Sequence, residues 1–155
     1  MPFSDDEQIV IEKKSKIKTT VLMVSIGLFA FSLFNVAFYT ETDFRSSIEA
    51  LLMGWLAMLT GGAAMTWMAN PFLIVSWIFL VKNKKSAWIF GLISSLISIS
   101  FLKFHVIIED EAGNYNVISR AGLGFWLWFS SCLTAFVGSL ILSIINYLDL
   151  KRMNN

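Results

Sequence analysis

One cysteine (Cys132), one histidine (His105) and two prolines are all that the 155 residues hold of these three types. A lone cysteine excludes an intramolecular disulfide, and with one distant histidine it excludes a Cys/His zinc set. Catalysis has as little to work with. No Ser/His/Asp arrangement forms around a single histidine, and Gly61-Gly62 lacks the strand and the Lys-Ser/Thr of a phosphate-cradling loop. Asp110-x-x-x-Asn114 falls well short of a calcium loop. Charge is scarce too, at 15% of residues, and nearly balanced at +1, so bulk charge excludes nucleic acid as a partner. No ionisable residue falls in the middle of an apolar run. That argues against a proton-coupled exporter or a voltage sensor, both of which need charge inside the membrane. The chain is expected to be no enzyme and to hold no metal or cofactor.

What the sequence does have is apolar length. Apolar residues make up 56% of it and aromatics 15%, and the mean hydropathy is +0.68. Such a composition belongs to an integral membrane protein rather than a soluble domain. Between Glu49 and Lys82 lie 32 uncharged positions. A straight helix of that length would measure about 48 Å, against about 30 Å for a bilayer core. The run is too long for one crossing and too short for two, so it must break. Gly61-Gly62 and Asn70-Pro71 are the two places suited to breaking it. Ser46-x-x-Glu49 is a capping box that starts a helix over about 47–59, some 18 Å long and unable to span. Gly62 to Lys82 then has the length of one crossing. Pro71 near its middle predicts a kink that frees the carbonyls near positions 66 and 67, with Thr66 and Asn70 placed to satisfy them.

Three further crossings are expected at about 19–39, 86–103 and 124–148, behind a charged tail over 1–18. The first run is too long for a signal-peptide core and no small-x-small site follows it, so it is expected to stay as an anchor. Asn35 within it calls for a hydrogen-bond partner in the bundle. Ala87, Gly91 and Ser95 recur every fourth residue, as do Ser131, Ala135, Ser139 and Ser143. Matching small-residue stripes predict that the last two crossings form an antiparallel pair. Trp126 and Trp128 stand where an interfacial aromatic belt is expected. Between these crossings, residues 104–119 carry β-branched Val106, Ile107, Ile108, Val117 and Ile118 around a turn-like 111–114. They read as a short β-hairpin or loop outside the bilayer.

Four crossings put Lys13, Lys14, Lys16, Lys18, Lys82, Lys84, Lys85, Lys151 and Arg152 on one side, nine basic residues against Arg45, Lys103 and Arg120 on the other. The bias places both termini in the cytoplasm, with the bacterial inner membrane as the location. The expected fold class is an all-α integral membrane protein of one domain, a four-transmembrane-helix bundle with an interfacial or re-entrant helix at 47–59.

Candidate binding residues fall into two groups. Thr66, Asn70, Pro71 and Asn35 are polar or helix-breaking positions inside apolar runs. Lys103, His105, Glu109 and Asp110 concentrate ionisable groups at the outer edge, where interfacial anchoring is the plainer explanation. The leading functional expectation is a non-enzymatic protein that binds a membrane partner. That partner is another membrane protein, a second copy, or an inserting toxin that it neutralises, as an immunity or accessory protein does. One alternative is a small transporter or channel subunit that uses the Asn70-Pro71 break. Another is a lipid- or quinone-binding accessory subunit with tryptophans lining its pocket.

Overall fold

The computed structural model describes residues 5–108 and 114–153. Among these described residues five α-helices and four short strands follow one another. Helix α1 spans Asp5–Ser32, strands β1 and β2 span Val36–Thr40 and Phe44–Ser46, and α2 spans Ser47–Ala57. Two 3-10 segments, Met58–Thr60 and Gly62–Met68, lead into α3 at Ala69–Val81. Helix α4, Ala87–Ser100, runs on as a 3-10 turn to Lys103. Strands β3 (Val106–Ile108) and β4 (Tyr115–Ala121) precede α5, Leu123–Met153. Among the described residues three helical stretches are long and apolar enough to cross a membrane: Val10–Ser32, Gly62–Val81 and Leu123–Asp149. Ala87–Lys103 is apolar but shorter. The helices' outer faces carry exposed Met23, Phe31, Ile74, Leu96 and Ile141, the surface of a body meant for an apolar solvent.

Helix α5 is the central post, packed against α1 on one side and α4 on the other, while α3 packs on α4. The small-residue stripes do what their spacing predicts. A Cβ on Gly91 would lie 2.7 Å from the Phe136 backbone, so only glycine permits this approach of antiparallel α4 and α5. Hydroxyls lock α1 to α5 reciprocally: Ser25 Oγ donates to the Ser131 carbonyl at 2.9 Å and Ser131 Oγ to the Ser25 carbonyl at 2.7 Å. Trp77 Nε1 joins them by donating to Ser25 Oγ at 2.8 Å. Beside this layer Leu73, Cys132 and Ala135 are wholly buried.

The sheet is larger than the hairpin expected at 104–119. That hairpin exists as β3 and β4, with its tip over 109–113 outside the described residues. Strand β4 also pairs antiparallel with β1, and β1 with β2, giving the order β2-β1-β4-β3. The first apolar run therefore does not stay helical to Tyr39, because α1 ends at Ser32. The cause is local. Val36, Phe38 and Tyr39 favour a pleated strand, and Asn35 closes the helix by donating from Nδ2 to the Phe31 carbonyl at 2.8 Å. Asn35 is thus a joint between α1 and β1 rather than a polar contact inside the bundle.

Pro71 also differs from expectation. It sits in the first turn of α3, directly after the 3-10 segment, where an α-helix has no amide bond for proline to remove. The long apolar run changes helix type there instead of kinking in mid-span. Gly61 and Gly62 provide the other break, with φ of 81° and 61°. The capping box forms as written: Glu49 N–H donates to Ser46 Oγ at 3.3 Å, and Ser46 N–H to Glu49 Oε2 at 3.2 Å.

Candidate functional site

Where the regular helices stop, the chain leaves a cavity of about 530 Å³. It lies at the sheet end, enclosed by the end of α1, strand β1, helix α2, the 3-10 segment before α3, and the first turns of α5. Aromatic rings form much of its wall, among them Phe29, Phe38, Trp67, Phe101, Phe125 and Trp128. Size and lining match the usual small-molecule site, which is mostly apolar with a few convergent polar groups.

Three elements supply the polar groups. Asn70, in the first turn of α3, is 7% exposed and accepts at Oδ1 from Trp128 Nε1 at 2.9 Å. An indole N–H is a donor only, so this bond fixes the amide's orientation. The Nδ2 group, which makes no hydrogen bond to a described residue, is left as a donor on the cavity wall. Thr66, one turn earlier, is 7% exposed and donates to the Ala63 carbonyl at 2.7 Å. Its hydroxyl oxygen keeps acceptor capacity. Ser47 opens α2, and its backbone N–H donates to the Asn35 carbonyl at 2.9 Å. Its side chain is 8% exposed, and Oγ is buried with no hydrogen-bond partner. An unpartnered buried hydroxyl is costly, by about 1–3 kcal/mol. Glycine makes the placement possible: a Cβ on Gly124 would collide with Ser47 Oγ and lie 2.8 Å from the Val36 carbonyl oxygen.

Charge at the cavity is balanced, since Arg45 and Glu49 contribute one of each sign. The Glu49 carboxylate is engaged in the capping box. Helix α2 covers one side and is held there by Trp67, whose Nε1 donates to the Leu51 carbonyl at 2.9 Å. Gly54 faces the Trp67 ring so closely that any Cβ would strike it. The outer face of α2 exposes Leu52, Trp55 and Leu56, with Leu59 just beyond, as a helix lying in a membrane interface would.

Of the residues proposed from sequence, the structure brings Thr66 and Asn70 together on one wall. Pro71 is next to them in the chain but does not line the cavity. Asn35 touches the site only by carrying Ser47. Lys103 and His105 lie apart from the cavity lining, both exposed, and His105 enters the sheet by accepting from Ile118 N–H at 2.8 Å. Glu109 and Asp110 lie outside the described residues. Of the six tryptophans whose rings could line a lipid or quinone pocket, Trp67 and Trp128 line this cavity; Ser47 carries no signal in the sequence. Ser47 follows the capping serine and so was hidden by it, whereas the tryptophans were legible as a class and not as individuals. Comparison with protein families, with curated proteins and with solved structures finds no match.

Proposed function

We propose that this is a non-enzymatic membrane protein that binds one small, uncharged amphiphile in the cavity at the sheet end. The observation that carries this reading is an unused donor, Asn70 Nδ2, oriented by Trp128 and set in an aromatic wall. That amide can donate to an oxygen acceptor, and the balanced Arg45 and Glu49 favour no net charge. A neutral head with carbonyl or ester oxygens and an apolar tail fits, which is the chemistry of a quinone or a neutral lipid. Binding of this kind suits an accessory subunit of a larger membrane assembly.

In this reading four helices cross the bilayer. The Gly62–Val81 stretch, part 3-10 and part α, reaches about 34 Å, and Ala87–Lys103 about 27 Å. Both are close to the thickness of a hydrocarbon core of about 30 Å. The lysine-rich end faces the cytoplasm and the sheet faces outward. Transport through the Asn70-Pro71 break is the weaker alternative, because the buried Leu73, Cys132 and Ala135 layer lies directly beyond Asn70.

Quenching of tryptophan fluorescence by a short-chain quinone tests the proposal in detergent solution. Saturable quenching at one quinone per chain, weakened at least tenfold by Asn70→Leu, is expected. Quenching that never saturates, or that is the same in the variant, refutes the cavity as the binding site.

A further inference from the structure

The opposite end of the bundle holds a second cavity, of about 370 Å³, with a different character. Its walls are α1, the turn from α3 to α4, and α5. Four lysines line it: Lys14 and Lys18 from α1, Lys84 and Lys85 from the turn. Lys14 is paired with Asp149 at 2.6 Å. Lys18 Nζ donates to Asn83 Oδ1 at 3.0 Å, a neutral partner, and forms no ion pair with a described residue. Lys84 and Lys85 are exposed, and neither forms an ion pair with a described residue. Ser143 and Asn146 of α5 also line it, beside Ser15 and Ser139, and neither Ser143 nor Asn146 makes a side-chain hydrogen bond to another described residue. The floor is apolar, formed in part by Leu80, Ala87 and Leu142.

Asn83 shapes the turn. It holds φ of 54°, a left-handed conformation that asparagine tolerates better than most residues, and so lets Lys84 and Lys85 follow immediately. Ala87 on the floor also begins α4, whose first turn adds a partial positive charge. Three ammonium groups, a helix start and two uncommitted polar side chains thus converge above an apolar floor. Anions with hydrogen-bonding oxygens on an apolar body fit this arrangement, and basic pockets between membrane helices take phosphate headgroups by the same physics.

We propose that this cavity is a binding site for a phosphate group carried on an anionic lipid, with Lys18, Lys84 and Lys85 as its cationic contacts and Ser143 and Asn146 as its hydrogen-bonding ones. The proposal rests on insertion in a membrane and not on the cavity at the sheet end. Each lysine in contact with the phosphate should strengthen its preferential retention roughly fivefold.

The test is native mass spectrometry of the full chain from nanodiscs of phosphatidylglycerol in excess phosphatidylcholine. Wild type should retain the anionic lipid preferentially, and the double variant Lys84→Gln/Lys85→Gln should lose about 20-fold of that preference. Lys151→Gln, outside the cavity, should leave it unchanged. A second arm titrates inorganic phosphate into detergent-solubilised protein by calorimetry. Lysine-dependent saturation there, without lipid preference, would overturn the lipid as the carrier and make the ligand a soluble phosphate. Equal retention in wild type and double variant, at equal melting temperatures, would overturn the site altogether. Quinone quenching at the other end serves as an internal reference and should be the same in both.

Discussion

The two ends of this protein are built from the same four helices, α1, α3, α4 and α5, and finish in opposite ways. At the sheet end the helices stop early, and a strand pair, a short capped helix and a 3-10 segment close over an aromatic cavity with balanced charge. At the other end the helices run on past one another and a tight turn carries three lysines. Between them the small residues bring backbones together and leave no room. The difference teaches that space in this protein comes from irregular backbone. Regular, glycine- and serine-faced helices close the middle, and 3-10 geometry, strands and a left-handed asparagine open the ends.

The sharpest way to break that comparison is to force space into the middle. Gly91→Val puts side-chain atoms where the Phe136 backbone already stands. It should destabilise the bundle by about 3 kcal/mol, read as a drop in the thermal midpoint in detergent with both end cavities lost together. Filling one end instead should separate the ends. Ala50 lines the sheet-end cavity from α2, so Ala50→Phe should weaken quinone binding by tenfold or more. Anionic lipid retention at the far end should stay at the wild-type value.

Smaller effects sharpen the account of the closed middle. The reciprocal Ser25 and Ser131 bonds should show a coupling of about 1 kcal/mol in a double-mutant cycle with alanine, measured by unfolding in mixed micelles. The smallest effect belongs to the lysine end. Lys14 and Asp149 are partly exposed, at 27% and 28%, so Lys14→Gln should change stability by less than about 1 kcal/mol, and less again in high salt.

Much of the helical frame was legible because it depends on local spacing. The capping box at Ser46 and Glu49, the stop at Gly61-Gly62 and the paired stripes of α4 and α5 each follow from a few neighbouring residues. The sheet was legible only in part. Val36 to Tyr39 continues an apolar run, and nothing local separates a strand there from one more helical turn. Pairing with β4, some eighty residues on, decides it, as when Tyr39 stands opposite Arg120 with the guanidinium 4.2 Å from its ring. Pro71 misled for a related reason. A proline in mid-run reads as a kink, and only the preceding 3-10 segment reveals it as a helix start. The site was half visible: Thr66 and Asn70 stood out as polar residues in apolar surroundings. Ser47 could not, since its isolation comes from contact with Gly124, remote in the chain.

The central claim, one neutral amphiphile in the sheet-end cavity, is tested most directly by native mass spectrometry of the protein released from its own membrane. Wild type should carry a single uncharged adduct, Ala50→Phe should lose it, and Leu52→Phe on the outward face of the same helix should keep it. A wild-type chain without any such adduct, or an adduct equally retained by Ala50→Phe, would contradict the claim.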